Sequence, residues 1–112
     1  MKYIVAILRP HRLDGILEKI QEFGLVHFTL SNVMGHGLQK ATEEVYRNVL
    51  DSKDMHEYVK LELAVNDVSL EPLVEILKTG FEGELDDGKI FVLELVSAIS
   101  VRTGERDALV LG

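Results

Sequence analysis

The chain contains no cysteine, which excludes disulfide bonds and any zinc site built on thiolates. Basic residues are also scarce, because 12 Lys and Arg stand against 19 Asp and Glu and the formal net charge is −7. This balance argues against a nucleic-acid-binding protein and against a polybasic membrane anchor. No apolar run approaches the roughly 18 residues of a transmembrane helix, and the N-terminal apolar run is too short for a signal peptide. We therefore expect a cytoplasmic protein that does not insert into a membrane.

The apolar residues that are present predict a single packed domain over residues 1–112. The chain has 112 residues and is 46% hydrophobic, which suits one domain with its own core and is too short for two. Alternating or near-continuous apolar runs predict strands at residues 2–8, 25–34, 58–65 and 89–95, with a candidate fifth strand at 98–101. Apolar stripes of helical period predict helices at residues 12–23 and 69–79.

The boundaries of these elements are predicted from glycine and proline. Gly24 and Gly80 are expected to end the two helices, and Pro72 is expected in the first turn of the second. The resulting order β-α-β-β-α-β predicts an α+β, ferredoxin-like fold. The near-continuous apolar run of the first strand predicts a central strand that is buried on both faces. Because two helices on one side leave the other sheet face uncovered, we expect self-association through that face.

A polar segment at residues 35–57 separates the second and third predicted strands. Loops longer than about 12–15 residues are uncommon in compact domains and are usually functional or disordered. Glu43 and Glu44 make the segment acidic, which fits either a solvated loop or a docking surface. In the second case Tyr46 and Arg47 are the candidate anchors, since Tyr and Arg dominate interface hot spots.

Five segments, in order along the chain, resemble the PII signal-transduction family. They are residues 7–14 (ILRPHRLD), 35–40 (GHGLQK), 42–47 (TEEVYR), 87–92 (DGKIFV) and 101–106 (VRTGER). The resemblance implies a homotrimer with a T-loop at about 36–57, a B-loop at about 82–89 and a C-loop at about 102–112. It further implies that ATP, ADP or AMP, with Mg²⁺ possible alongside ATP, binds in clefts between subunits. The T-loop would then dock into a membrane transporter or a metabolic enzyme, without catalysis.

The nucleotide-binding residues follow from the same resemblance. They are Thr29, Gly35, Gly37, Leu38, Gln39, Glu62, Ala64, Asp86, Asp87, Gly88, Lys89 and Arg102. The chemistry of three of them also suits a phosphate site. Gly88 permits close backbone approach, Lys89 adds a mobile positive charge, and Arg102 can bind an oxygen pair. The alternative is that Lys89 and Arg102 merely pair with Glu94 or Glu105 at the surface.

Several positions depart from the family pattern. Leu38 and Ser100 stand where the family usually has basic residues near the phosphates, and Asp86 replaces a glycine of the B-loop. These changes should weaken triphosphate binding most, so we expect ADP or AMP to compete well with ATP. Tyr58 stands where a lysine pairs with 2-oxoglutarate, which argues against that ligand. Asp51 stands where many members carry the modified tyrosine, which excludes uridylylation there. With these departures, the sequence resembles the divergent PII-like branches of the family.

Three other functions are compatible with parts of the sequence. His36 and His56 flank the long segment and are weak candidates for a metal site, against a simpler role as solvated histidines. A ferredoxin-like enzyme of acylphosphatase type would use an arginine such as Arg9 or Arg12, but the glycine-rich phosphate loop is lacking. A trimeric metal-tolerance protein has the same architecture, but the long loop and the B-loop segment argue against it.

Overall fold

The computed structural model describes residues 1–25, 27–36, 55–83 and 88–111. Within these ranges the chain forms, in order, β1 Lys2–Leu8, α1 Leu13–Phe23, β2 Thr29–His36, β3 Met55–Val65, α2 Asp67–Lys78 and β4 Ile90–Glu94. The strands build one antiparallel sheet with the order β2-β3-β1-β4. This arrangement confirms the predicted α+β, ferredoxin-like fold.

The core lies between one face of the sheet and the two helices. It is formed by alternate residues of the two central strands together with the apolar stripes of α1 and α2. These side chains are at most 2% exposed: Ile4, Ala6, Leu8, Leu61, Leu63, Val65, Ile16, Ile20, Leu73 and Leu77. The core of the described residues contains no buried charged or polar residue.

The opposite face of the sheet is only half-covered. Tyr3, Val5 and Ile7 of β1 are half-buried there, and Phe91 and Leu93 of β4 remain 49% and 51% exposed. The prediction that β1 is buried on both faces is therefore wrong for the single chain, because both helices pack on the same side. None of the helices described here combines the length and apolar character that crossing a bilayer demands.

The end of α1 explains why β2 begins later than predicted. Gly24 has a left-handed φ of 102°, as predicted, and its N–H donates to Gln21 O over 3.0 Å. The N–H of Leu25 donates to Ile20 O over 3.2 Å, which completes a Schellman cap. Leu25 therefore belongs to the helix cap, and β2 starts at Thr29 rather than at residue 25.

The second helix differs from the prediction at both ends. It begins at Asp67, so Pro72 lies inside the helix and not in its first turn. Proline has no N–H, which leaves the carbonyl of Val68 without its usual helical donor. The helix ends at Lys78 and continues as a 3₁₀ turn, Thr79–Phe81. Gly80 does not cap it: it is buried, and an added Cβ would lie 2.9 Å from Leu8 Cδ2.

The strands around the long polar segment extend further than predicted. β2 continues through Gly35 to His36, and β3 already begins at Met55. At the other end of the chain, the candidate fifth strand is reduced to a single bridge between Ile99 and Arg106. That bridge belongs to a C-terminal hairpin in which Ser100 N donates to Glu105 O over 2.8 Å.

Candidate functional site

A cleft of about 690 Å³ brings together four of the residues predicted to bind a nucleotide. Thr29 of β2 is paired with Glu62 of β3, and Ala64 follows on the same face because strand side chains alternate. Arg102, in the turn of the C-terminal hairpin, lines the same cleft. Two neighbouring strands and a hairpin turn thus place a carboxylate and a guanidinium around one open volume.

The carboxylate of Glu62 is held by its neighbours on β1 and β3. Tyr3 Oη donates to Glu62 Oε1 over 2.8 Å, and Lys60 Nζ lies 3.7 Å from the same oxygen. Burial raises the pKa of the Tyr3 phenol, and its hydrogen bond to Glu62 raises that pKa further. The Glu62 side chain is only 20% exposed, so it contacts the cleft from a fixed position in its wall.

The C-terminal hairpin forms the other wall, and Asp107 holds it closed. Asp107 has a left-handed φ of 60°, which aspartate tolerates better than most residues. Its Oδ1 accepts from Ala98 N over 3.2 Å and from Ser97 Oγ over 3.3 Å, while its own N–H donates to Ala98 O over 2.7 Å. Ser100 also lines the cleft, and its Oγ accepts from Thr103 N over 3.4 Å.

Three other predicted residues do not line this cleft. Gly35 is paired with His56, six positions along β3 from Glu62, or about 20 Å at the usual rise per residue. Gly88 and Lys89 precede β4, at the far edge of the sheet, with β1 between them and β3. Four described residues of the predicted site therefore share the cleft, whereas Gly35 on one edge strand and Gly88 and Lys89 before the opposite edge strand lie outside it.

The close approach expected at Gly88 is made to the protein itself. A Cβ built on Gly88 would lie 1.9 Å from Cδ1 of Phe81, so the backbone rests directly on that ring. Phe81 in turn packs against the core. The packing against Phe81 thus explains the glycine at position 88 without any ligand. The same contact fixes the backbone position from which the Lys89 side chain extends.

Tyr58 forms a compact cluster at the base of the long polar segment. Tyr58 is 8% exposed, the guanidinium of Arg9 lies 4.8 Å from the ring centroid, and a Cβ on Gly35 would lie 2.9 Å from two ring carbons. An aromatic ring in this position offers stacking rather than the positive charge of the lysine that the resemblance led us to expect. A separate cleft of about 350 Å³ beside Tyr58 is lined by Pro10, Asn32, Val33, Met34, Glu57 and Tyr58.

The surface pairing considered for Lys89 and Arg102 is not formed. Within the described ranges Glu94 instead accepts from Lys2, to its Oε2 over 2.7 Å and also to its Oε1. Neither Lys89 nor Arg102 makes an ion pair with another residue of the part of the chain described here. Both cations therefore remain available to an anion that approaches the surface.

The metal site considered at His36 and His56 is not supported. His36 is paired with Met55 and His56 with Gly35, so the two imidazoles project from opposite faces of the hairpin. The described residues contain no group of three potential metal ligands. The two arginines of the enzyme alternative make contacts within the protein. Arg12 donates to the carbonyl of Glu82, and Arg9 lies over Tyr58.

Some of the predicted residues lie outside the described ranges. They are Gly37, Leu38, Gln39, Tyr46, Arg47, Asp51, Asp86 and Asp87. Conversely, the cleft contains residues that the sequence did not suggest, among them Tyr3, His27 and Phe28. The pairing of Tyr3 with Ala64 places Tyr3 in the cleft wall, and that register cannot be derived from the alternation of either strand alone.

The family-model match and the similar proteins found by comparison all point to one family. Residues 1–105 match the family model described as nitrogen regulatory protein P-II. The nitrogen regulatory protein GlnK1 of Methanosarcina mazei is 43% identical over 108 residues, which cover 94% of this chain and 92% of the relative. The nitrogen regulatory protein P-II of Klebsiella oxytoca is 39% identical over 108 residues, or 96% of each chain. GlnK of Escherichia coli K12 is 36% identical over 112 residues, which cover 99% of this chain and all of the relative.

Proposed function

The chain belongs to the P-II family of nitrogen regulatory, signal-transduction proteins, and from this premise we propose that it binds an adenine nucleotide between two copies of itself. The observation behind the proposal is the division of the predicted residues. Thr29, Glu62, Ala64 and Arg102 share one cleft, while Gly35, Gly88 and Lys89 lie away from it. A second chain in a homotrimer would supply the missing group, and the half-covered sheet face gives it an apolar surface on which to pack.

The charges of the two groups suit a nucleotide. In the proposed site Arg102 binds phosphate oxygens in pairs, and Lys89 of the second chain adds a point charge. Glu62 repels phosphates, so the uncharged nucleoside lies on its side of the cleft. With Leu38 and Ser100 in place of basic residues, the third phosphate gains few contacts. We therefore expect ADP and AMP to compete with ATP, and Mg²⁺ to matter for ATP alone.

In the proposed regulator, the long polar segment at residues 35–57 is the part that contacts the target protein. We propose that the nucleotide acts on its base, near Gly35, and that the T-loop at about 36–57, with Tyr46 and Arg47 as anchors, then docks on a transporter or a metabolic enzyme in the cytoplasm, without catalysis. The aromatic cluster at Tyr58 supports the expectation that 2-oxoglutarate is not the signal. A ring stacked under Arg9 lacks the ammonium group that would pair with a carboxylate. The placement in a divergent branch of the family stays a prediction, and the three relatives reported above are all named nitrogen regulatory proteins.

Calorimetric titration of the intact protein with ATP, ADP, AMP and cyclic AMP tests the ligand. Each should be titrated with and without Mg²⁺ and 2-oxoglutarate. Loss of a charge-assisted hydrogen bond costs about 1.5–3 kcal/mol, so Lys89→Ala and Arg102→Ala should each weaken ADP binding at least about tenfold. Lys78→Ala is the matched control, because Lys78 is exposed on α2 and pairs with Glu75. No heat from any nucleotide at millimolar concentration would refute the proposal.

A mixing experiment tests whether the site is shared between chains. In a trimer that contains both Lys89→Ala and Arg102→Ala subunits, one of the three shared sites combines the intact Arg102 of one subunit with the intact Lys89 of the next. Co-refolded mixtures should therefore regain tight sites that neither pure variant has. If both residues served the same site from one chain, every site in the mixture would stay defective, and titration would show no recovery.

A further inference from the structure

Tyr3 stands beside the carboxylate of the proposed nucleotide cleft. Its hydroxyl donates to Glu62 Oε1 over 2.8 Å, and both side chains line the cleft. The two residues lie on adjacent central strands, where Tyr3 is paired with Ala64 and Val5 with Glu62. The contact is therefore a diagonal one across two paired strands, between backbones that the sheet holds rigidly.

The geometry leaves one carboxylate oxygen of Glu62 for a ligand. Oε1 accepts from Tyr3 and lies 3.7 Å from Lys60 Nζ, whereas none of the described residues donates to Oε2. An ionised carboxylate only accepts hydrogen bonds, so its partner in the ligand must carry N–H or O–H groups. Among the parts of an adenine nucleotide, the phosphates are excluded by charge. The ribose hydroxyls and the purine amino group are the available donors.

We propose that Tyr3 is a positioning residue that orients Glu62 Oε2 toward a ribose hydroxyl of the nucleotide. This inference rests on the proposed function and adds to it a source of ligand selectivity. The hydroxyl is favoured over the amino group for a geometric reason. Glu62 and Arg102 line the same cleft, and the sugar is the part of a nucleotide adjacent to the phosphates that Arg102 would bind.

Lys60 explains why the tyrosine hydroxyl matters. If the hydroxyl is removed, the Lys60 ammonium is the one cation near Glu62 Oε1 among the described ion pairs, and it can draw the carboxylate along the strand. The carboxylate would then keep its charge but lose its orientation toward the ligand. Tyr3→Phe preserves the ring and its packing, so it removes only this hydrogen bond.

The test compares ADP with 2′-deoxy-ADP and 3′-deoxy-ADP by calorimetry on the intact protein. The wild type should prefer ADP over at least one deoxy analogue by about tenfold, since a hydrogen bond to a charged group contributes about 1.5 kcal/mol or more. In Tyr3→Phe and in Glu62→Gln this preference should fall to about threefold or less. Lys78→Ala is the matched control, because Lys78 lies on α2 outside the cleft and pairs with Glu75, and it should keep the preference.

The outcomes distinguish the role of Tyr3 from the proposed nucleotide binding. A variant that merely loosened the fold would weaken ADP and its deoxy analogues equally and would leave their ratio unchanged. An unchanged ratio in Tyr3→Phe, with ADP still bound, overturns the role of Tyr3 and leaves the proposed function intact. A wild type that does not distinguish the analogues overturns it too. A wild type that binds no nucleotide at all refutes the proposed function itself.

Discussion

Replacing Gly35 with alanine should destabilise the protein through a single contact. Gly35 lies inside β2, and a Cβ at this position would lie 2.9 Å from both Cδ2 and Cε2 of the Tyr58 ring. Tyr58 is 8% exposed, and Arg9 stacks on its ring with the guanidinium 4.8 Å from the centroid. The ring therefore cannot move aside without losing either its burial or this stacking.

The expected magnitude follows from two opposing effects. Forcing an extra methyl into a packed site costs about 1–3 kcal/mol. Alanine also restricts the unfolded chain, which stabilises by about 0.4–1 kcal/mol where the backbone is compatible. We expect a net loss of about 1–2 kcal/mol in the free energy of unfolding. In a Tyr58→Ala background the clash is absent, so the same substitution should be neutral or stabilising.

Urea unfolding measures the effect of Gly35→Ala in the wild-type and in the Tyr58→Ala background. The chain concentration is kept the same throughout, because assembly would otherwise change the apparent stability. The midpoint should fall in Gly35→Ala while the slope m stays constant. Gly15→Ala is the matched control: a Cβ there meets nothing within 4 Å, and within α1 it should stabilise by about 0.5–1 kcal/mol. If Gly35→Ala equals or exceeds the wild type in stability, or if Tyr58→Ala does not relieve its cost, then the ring does not restrict position 35.

Three further predictions concern the core, the hairpin and the cleft. Leu73 is 0% exposed, so Leu73→Ala should lower the unfolding free energy measured by urea titration by about 2–5 kcal/mol. A loss below about 1 kcal/mol would contradict the place of Leu73 in the core. Asp107→Asn keeps an acceptor for Ala98 N and Ser97 Oγ and should be nearly neutral, whereas Asp107→Ala should lower the unfolding free energy by about 1–3 kcal/mol. Equal stability of the two variants would argue against the role of Asp107 in holding the hairpin closed. The pKa of Tyr3 is raised in the folded chain, so its contribution to stability is complete below the unfolded pKa and is lost as pH rises through the folded one. Unfolding free energy should therefore fall more steeply above about pH 10 in the wild type than in Tyr3→Phe, and parallel pH profiles would refute this.

The topology could be predicted because each element has a single clear period. The continuous apolar run of β1, the alternation in β3 and the apolar stripe of α1 have one structural interpretation each, and the cap at Gly24 needs only local chain geometry. The errors occur where tertiary contacts decide. Leu25 looks like the start of a strand, but its burial and its bond to Ile20 O assign it to the helix cap. Gly80 looks like a cap, but the close contact with Leu8 gives it a packing role.

The residues of the candidate site were predicted from the resemblance, and strand alternation explains only why some of them share a face. Glu62 and Ala64 share a face because they are two residues apart, and the hairpin pairing of β2 with β3 adds Thr29. The contribution of Tyr3 depends on the register between β1 and β3, which are far apart in sequence. The burial of Tyr58 on the open face depends on Arg9, which follows β1, and on Gly35 across the hairpin.

The division of the proposed site between two chains has a thermodynamic consequence. A ligand that binds only the assembled form stabilises it by mass action, by about 2.7 kcal/mol at a free concentration of 100 times Kd. In the proposed trimer the half-covered sheet face, where Phe91 is 49% exposed, would contribute to assembly at any nucleotide level, whereas Lys89 and Arg102 would contribute only when a phosphate bridges them. Because a ligand placed between two chains is sensitive to how those chains pack, nucleotide affinity and trimer stability must change together. A substitution at Phe91 that weakens assembly should therefore weaken ADP binding as well, although Phe91 lines neither half of the site.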